Sequence, residues 1–341
     1  MSFFDIFLFA FNAITPIVLL ILTGFVLKRI GFLNDNFLQT ANKFVFNVSL
    51  PVLLFFNVYN IGNLGKIQWN TVIFALIIIL LLFISGFVCS KLFIKDNRQK
   101  GVVWQSFYRS NFAIIGLPLS QALGGEEGIA IASILSAFSI PVFNALAVVS
   151  LSVYTSSDGK NKIRIKDILI KIAKNPLIIG VSLGLVMLGI RQFIPTGADG
   201  EYVFTIRNNL PFLYDAVGMM SKIASPLALV VLGGRFRFDA IKGLKKQIIA
   251  GSFARIIFAP ALGIIAAIVL SGISTFFSFN AAHYAAFIAL FGSPVAVSSA
   301  IMASQMDNDD QLANQILVWT SIASVLTVFV TVVILKSVGM I

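Results

Sequence analysis

Apolar segments long enough to cross a lipid bilayer follow one another along this whole chain. A spanning helix needs about 20 apolar residues to cross roughly 30 Å of hydrocarbon. Ten segments meet this requirement, at approximately 6–27, 38–58, 70–93, 103–123, 127–154, 167–190, 209–234, 245–271, 282–303 and 310–336. Because 58% of the residues are hydrophobic and only 11% are charged, the sequence predicts an all-α integral membrane protein.

Lysine and arginine are distributed unevenly over the loops between these spans. Loops one, three, five and seven carry 17 of them close to the membrane, whereas loops two, four, six and eight carry three. Since Lys and Arg are enriched in cytoplasmic loops, the odd loops are predicted to be cytoplasmic and both termini to lie outside the cell membrane. Loop nine, 305–311, opposes this pattern with three aspartates and no basic residue. The net charge of +11 is explained by topology, and no nucleic acid partner is predicted.

A polar stretch at 155–166 divides the chain into halves of five spans each, 1–154 and 167–341. Because five is odd, the second half must enter the membrane in the opposite sense to the first. The halves share proline and glycine positions: Pro16 with Pro176, Pro51 with Pro226, and Gly116-x-Pro118 with Gly292-x-Pro294. The predicted architecture is therefore ten transmembrane helices in two inverted five-helix repeats, joined by a cytoplasmic linker.

Two of the spans are predicted to be broken helices. Span 4 contains Gly116-Leu-Pro118 and span 9 contains Gly292-Ser-Pro294. Proline has no N–H to donate and clashes with the carbonyl four residues earlier, while glycine allows the chain to bend. Broken segments in corresponding places of two halves indicate a transporter binding site. We therefore predict that spans 4 and 9 cross at their prolines near the bilayer centre and bind the substrate there.

Five short motifs, in order along the chain, resemble the auxin efflux carrier family in its bacterial form. They are Asn47-Val-Ser-Leu-Pro51-Val-Leu-Leu-Phe, Ser110-Asn111-Phe-Ala-Ile-Ile-Gly116-Leu-Pro118-Leu, Gly124-Gly-Glu-Glu-Gly128, Asn175-Pro176-Leu-Ile and Ser225-Pro226-Leu-Ala-Leu. The resemblance implies a ten-helix inverted-repeat carrier, similar in fold to bile acid and sodium/proton transporters. Helices 4 and 9 would cross in a mobile transport domain, and helices 1, 2, 6 and 7 would form a scaffold. Members of this family move organic anions, including plant auxins and bacterial dicarboxylates such as malate or malonate.

The candidate site residues lie around the two breaks. A half-helix that begins at membrane depth presents unpaired N–H groups and a positive dipole end, which favour a carboxylate. Asn111 adds an amide donor at the position where plant relatives place an asparagine that contacts the carboxylate, although a helix–helix hydrogen bond would also explain it. Ser139 stands where bacterial relatives often have asparagine. The predicted substrate-binding residues are Ser110, Asn111, Gly116, Pro118, Gln121, Ser139, Gly292, Ser293, Pro294, Ser298 and Ser299.

Two arginines within the spans have open roles. Arg109 either draws an anion from the cell interior or is an interface arginine, and Arg255 meets helix-end carbonyls or a carboxylate. No Asp or Glu lies in the apolar middle of a span, and the chain has one His and one Cys, so we predict no enzyme activity, cofactor or metal site. Sodium coupling, proton coupling and homodimer formation all remain open.

The function that best fits these features is secondary transport of small organic anions by alternating access. An anion channel is the first alternative, but it would favour a continuous polar stripe or a charged ring, whereas the polar residues here cluster at the breaks. A membrane receptor or scaffold is the second alternative, and the absence of a signalling domain from this sequence argues against it.

Overall fold

A computed structural model describes residues 3–60, 68–155, 170, 173–197, 202–237 and 240–341. These residues form helices and no β-strand, apart from two isolated bridges. The α-helices are α1 Phe3–Arg29, α2 Asp35–Phe44, α3 Leu50–Tyr59, α4 Trp69–Phe93, α5 Asn97–Tyr108, α6 Leu117–Val153, α7 Pro176–Arg191, α8 Ile206–Asn209, α9 Pro211–Arg235, α10 Ala240–Phe253, α11 Ala259–Ile273, α12 Ala281–Gly292, α13 Val297–Gln305 and α14 Asp310–Ser337. The predicted linker from residue 156 to 166, and the start of span 6, lie outside the described residues.

Six helical runs among the described residues are long and apolar enough to cross a membrane. They are Asp35–Tyr59, Trp69–Phe93, Phe112–Val153, Pro211–Arg235, Ile241–Ile273 and Asp310–Ser337. In α4, Ile78, Ile79 and Leu82 are buried, while Ile77 and Leu80 are nearly half exposed on the outer surface. A helix that is apolar on both its buried and its exposed faces is typical of a membrane span.

Three π-helical turns accommodate three of the prolines. The turns Val45–Ser49, Phe112–Gly116 and Ala254–Phe258 each end two residues before a proline, namely Pro51, Pro118 and Pro260. In each, the residue between turn and proline donates its N–H to a carbonyl five residues back, as Leu117 does to Phe112. A π turn moves the preceding carbonyls away from the proline ring, so the helix continues past a residue that would otherwise interrupt it.

This arrangement corrects the predicted break in span 4. The helix passes through Gly116-Leu-Pro118 without interruption, and the chain leaves the helical conformation earlier, at Arg109–Asn111, between α5 and the π turn at Phe112. Ser and Asn favour such a break because their side chains compete for backbone hydrogen bonds. The break in span 9 lies where it was predicted, from Ser293 to Ala296. Gly125, with φ 60° and ψ −150°, forms a kink within α6 at the predicted boundary between spans 4 and 5.

The loops gather at two separate faces of the helical bundle. At one face, the Asp309 N–H donates to the Arg98 carbonyl at 3.0 Å, and Arg235 pairs with Asp310 at 2.6 Å. These contacts bring together loops three, seven and nine, and they pair the unexpected aspartates of loop nine with basic loops.

At a second face, loops two, four, six and eight contact one another. His283 contacts Gln68 at 2.6 Å, Asn280 donates to Glu127 at 2.8 Å, and the Tyr214 hydroxyl donates to Asn60 at 2.9 Å. Among the described residues, these contacts therefore join odd loops with odd loops and even loops with even loops.

Glycines bring α1 and α9 into direct backbone contact. A Cβ added at Gly24 would lie 2.0 Å from the Val230 carbonyl oxygen, and one added at Gly233 would lie 1.9 Å from the Ile21 carbonyl oxygen. No side chain fits at either position, because the obstructing atoms belong to the backbone. Small residues at a helix interface permit this close approach in membrane proteins, and they join the two helices firmly.

Candidate functional site

The two breaks cross and hydrogen-bond to each other in the interior of the bundle. The Asn111 N–H donates to the Pro294 carbonyl at 2.8 Å, and the Ala296 N–H donates to the Arg109 carbonyl at 3.3 Å. Ser110 and Val295 form an isolated antiparallel bridge between these bonds. Two short extended segments thus satisfy part of each other's backbone where the helical bonds are lost. The crossing of spans 4 and 9 is present, but on the span 4 side it lies at Ser110 and not at Pro118.

Each break is followed by a helix N-terminus that no side chain caps. The π turn at Phe112 begins after Asn111, and α13 begins after Ala296, and neither start has a side-chain hydrogen bond to its first N–H groups. The first N–H groups of a helix have no partner within the helix and carry the positive end of its dipole. Residues from both starts, including Ala113, Val297 and Ser298, line one cavity of about 60 Å³.

Arg109 places a full positive charge beside this cavity. Its side chain is only 1% exposed, and one of its terminal nitrogens donates to Asn144 Oδ1 and Ser298 Oγ, both at 2.9 Å. The other terminal nitrogen contacts Gln105 Oε1 at 3.2 Å and the Met302 sulfur at 2.9 Å. All four partners are neutral, and none of the described residues forms a salt bridge with it. The structure therefore buries Arg109 inside the bundle, whereas the side chain of an interface arginine would extend to the surface.

Asn111 is buried with an unused hydrogen-bond donor. Its side chain is 4% exposed and lines the cavity, and its Nδ2 has no partner among the described residues. An unsatisfied buried amide is costly in an apolar interior, whereas a bound anion would satisfy it. The helix–helix hydrogen bond considered for the Asn111 amide group is not formed through Nδ2.

Of the other residues predicted for the site, only two line the cavity. These are Ser110 and Ser298. Pro294 contributes its carbonyl to the crossing, and Ser299 is buried with an unpartnered hydroxyl but does not line the cavity.

The remaining predicted residues have local contacts or packing roles. Pro118 and Gln121 are exposed, and Ser139 Oγ donates to the Leu135 carbonyl of its own helix. Ser293 Oγ likewise donates to the Ala289 carbonyl at 2.6 Å. Gly116 and Gly292 are buried at helix contacts, where a Cβ would meet Phe112 and Val328 respectively. These six residues do not line the cavity around which Arg109 and Asn111 are placed.

The cavity also has lining residues that sequence reasoning missed. Asn144, on α6, accepts from Arg109, and Asn57 and Ser225 lie on the opposite side, on α3 and α9. That opposite wall is otherwise apolar and includes Leu50, Leu53, Leu54 and Leu177. Asn144 lies five residues after Ser139 in the same helix, so the sequence signal was a second polar residue within span 5. One wall is thus mainly leucine, while the other carries Arg109 and most of the polar groups beside apolar residues such as Ile140 and Val297.

Arg255 lies outside the cavity lining and is fully buried. Its NH2 group donates to the carbonyls of Phe291 and Leu290, in the last turn of α12. The sequence left open whether Arg255 meets helix-end carbonyls or a carboxylate, and in the structure it contacts helix-end carbonyls.

The apolar helices, the crossing of two broken helices and the buried cavity define a multi-pass membrane protein of the transporter class. A family model described as membrane transport protein matches residues 9–144 and 152–332. The chain belongs to this family, the auxin efflux carrier family, which is a family of membrane transporters.

Similar curated proteins come from two archaea. An uncharacterized transporter of Methanothermobacter thermautotrophicus is 22% identical over 327 residues, which cover 94% of this chain and 97% of that protein. An uncharacterized transporter of Methanocaldococcus jannaschii is 27% identical over 263 residues, which cover 73% of this chain and 76% of that protein. Both relatives are named as transporters, without a substrate.

Proposed function

We propose that this protein is a secondary carrier of small organic anions, such as carboxylates, across the cytoplasmic membrane by alternating access. Membership of a transporter family supports the general class. The substrate binds at the crossing of the two broken helices, where Arg109, Asn111, Ser298 and two helix N-termini converge on one cavity.

The observation that carries the anion assignment is the uncompensated charge of Arg109. A buried cation is stable when it is paired, and Arg109 has only neutral partners among the described residues. The two uncapped helix N-termini add positive potential of about half a charge each. None of the described residues that line the cavity is acidic. A carboxylate supplies the missing negative charge and accepts from the free Asn111 Nδ2.

The proposed architecture is ten spans in two inverted five-helix repeats, with the odd loops cytoplasmic and both termini outside. The separation of odd and even loops onto two faces supports this arrangement, as does the crossing of one broken helix from each half. In this proposal the crossing helices belong to the moving domain. Helices α1, α2, α3, α7 and α9 belong to the scaffold, and α3, α7 and α9 contribute the leucine-rich wall of the cavity.

The experiment that tests the function is substrate binding and uptake by purified wild-type and Asn111→Ala protein. A thermal-shift screen of mono- and dicarboxylates, including malate and malonate, identifies the anion that stabilises the folded state. Asn111→Ala removes one charge-assisted hydrogen bond and should weaken binding of that anion by roughly 1.5 to 3 kcal/mol, or about 10- to 150-fold. Asn111→Asp should be worse, because it places a negative charge opposite an anion.

Asn314→Ala is a matched control, because Asn314 is 2% exposed, has an unpartnered Oδ1 and does not line the cavity. It should bind the anion as the wild type does. The rate of anion uptake into liposomes should saturate with anion concentration, and anion inside the liposomes should exchange for anion outside. A channel would give a flux that does not saturate. Comparing uptake with and without an imposed sodium or proton gradient tests for coupling. Normal binding by Asn111→Ala, together with a loss of thermal stability, would make Asn111 structural.

A further inference from the structure

Arg255 is a buried arginine that the proposed binding site does not use. It is 0% exposed and lies in the π turn Ala254–Phe258, between α10 and α11. Its Nε and NH1 have no partner among the described residues, so its bonds to the end of α12 are its only polar contacts there. Burying a guanidinium is unfavourable unless its environment is negative, and the C-terminal end of a helix provides such an environment.

The bonds that Arg255 makes are those that the break removes. In a continuous helix the Leu290 carbonyl would accept from residue 294, but this residue is a proline and has no N–H. The Phe291 carbonyl would accept from Val295, whose N–H instead donates to Thr320 Oγ1 at 3.3 Å. Arg255 donates to both of these carbonyls. The second break therefore depends on a side chain from another helix for its hydrogen-bond balance.

We infer that Arg255 is a positioning residue that fixes the second break, and that it thereby directs the start of α13 into the cavity. The two carbonyls that it holds lie five and six residues before Ala296, which bonds to Arg109. Val297 and Ser298 follow directly and line the cavity. Arg255 acts on the site through α12 and contacts no lining residue by hydrogen bond. The inference rests on the proposed function only for its effect on anion affinity.

The test compares Arg255→Met and Arg255→Lys with the wild type. Met removes both donors and keeps an unbranched apolar side chain, whereas Lys keeps the charge and a donor. Hydrogen exchange in ligand-free protein should be faster in the segment 289–299 of Arg255→Met and close to wild type in Arg255→Lys. Binding of malate or malonate, whichever stabilises the wild type more, should weaken about tenfold in Arg255→Met, because the N–H groups of α13 are no longer aligned.

Ile264→Ala serves as the control for a general loss of stability. Ile264 is 6% exposed and packs in the same apolar cluster as Phe291, but it makes none of the bonds at the break. This variant should lower the melting temperature without faster exchange confined to 289–299 and without a change in anion affinity. The inference is overturned if Arg255→Met shows no more exchange in that segment than Ile264→Ala does. Absence of any anion binding by the wild type would overturn the proposed function instead, and the exchange result would still decide the role of Arg255.

Discussion

Replacing Arg109 with Met should weaken anion binding, and it removes the charge without leaving a carboxylate of the described residues unpaired. The guanidinium is held by four neutral atoms at 2.9 to 3.2 Å, so no carboxylate of the described residues loses a partner when the charge is removed. Two opposite charges 4 Å apart interact by about 4 kcal/mol at an effective dielectric constant near 20. Part of that energy is lost to desolvation of the anion. Arg109→Met should therefore weaken binding by about 2 to 4 kcal/mol, or roughly 30- to 900-fold.

The effect of Arg109→Met on folding should be no larger than its effect on binding. Removing a buried charge costs most when it leaves an opposite charge unpaired, and Arg109 has no charged partner among the described residues. Asn144 Oδ1 and Gln105 Oε1 each lose a donor, at about 1 to 3 kcal/mol where water cannot replace it. Asn144 lines the cavity, where water can enter. The assay is carboxylate binding by equilibrium dialysis, alongside the melting temperature without ligand. Arg109→Lys should keep part of the affinity. Wild-type affinity in Arg109→Met would refute the assignment of Arg109 as the counter-charge.

Three further substitutions test other parts of the structure. Gly233→Ala should destabilise the protein by about 1 to 3 kcal/mol, because the new Cβ would meet the Ile21 carbonyl. Gly243→Ala should stabilise it by about 0.4 to 1 kcal/mol, because no atom lies within 4 Å of the new Cβ. Denaturation in detergent measures both changes in the free energy of unfolding. Pro118→Ala should leave anion affinity unchanged in the dialysis assay, because Pro118 is exposed and lies outside the cavity lining, and a large loss would restore it to the site. Asp310→Asn should lower the free energy of unfolding by no more than about 1 kcal/mol, because its pair with Arg235 is partly exposed; a larger loss would show that the pair holds the loop face together.

The sequence was sufficient to predict the class of protein and much of its helical layout. Apolar length alone located runs such as Trp69–Phe93 and Asp310–Ser337, because a bilayer sets a minimum length for a spanning helix. The break at Ser293–Ala296 was also predictable, since Pro294 removes a donor and no π turn compensates for it.

The first break was misplaced because a proline does not by itself determine whether a helix is interrupted. At Pro118 a π turn compensates for the missing N–H donor, so the helix continues. The helix is interrupted instead at Ser110 and Asn111, where backbone hydrogen bonds with Pro294 and Ala296 replace the helical ones. That replacement is a contact between distant parts of the chain, which local pattern cannot reveal. Asn144 was missed for the same reason, since its importance comes from its contact with Arg109.

The leucine-rich wall of the cavity bears on the activation barrier for moving the two crossed breaks past the scaffold in the proposed transport cycle. Leu50, Leu54 and Leu177 offer methyl groups that form no directional bonds. In the proposed transport cycle, the hydrogen-bonded pair of breaks would therefore move past them at little enthalpic cost. Hydrogen bonds between the scaffold and α13 occur at the face formed by loops three, seven and nine. There Arg235 donates to Ser304 Oγ at 2.6 Å, and Asn42 donates to the same oxygen at 3.2 Å. Among the described residues, these bonds would oppose such a movement at one face of the protein. Substitutions there would therefore change the rate of exchange between states more than the affinity for the substrate.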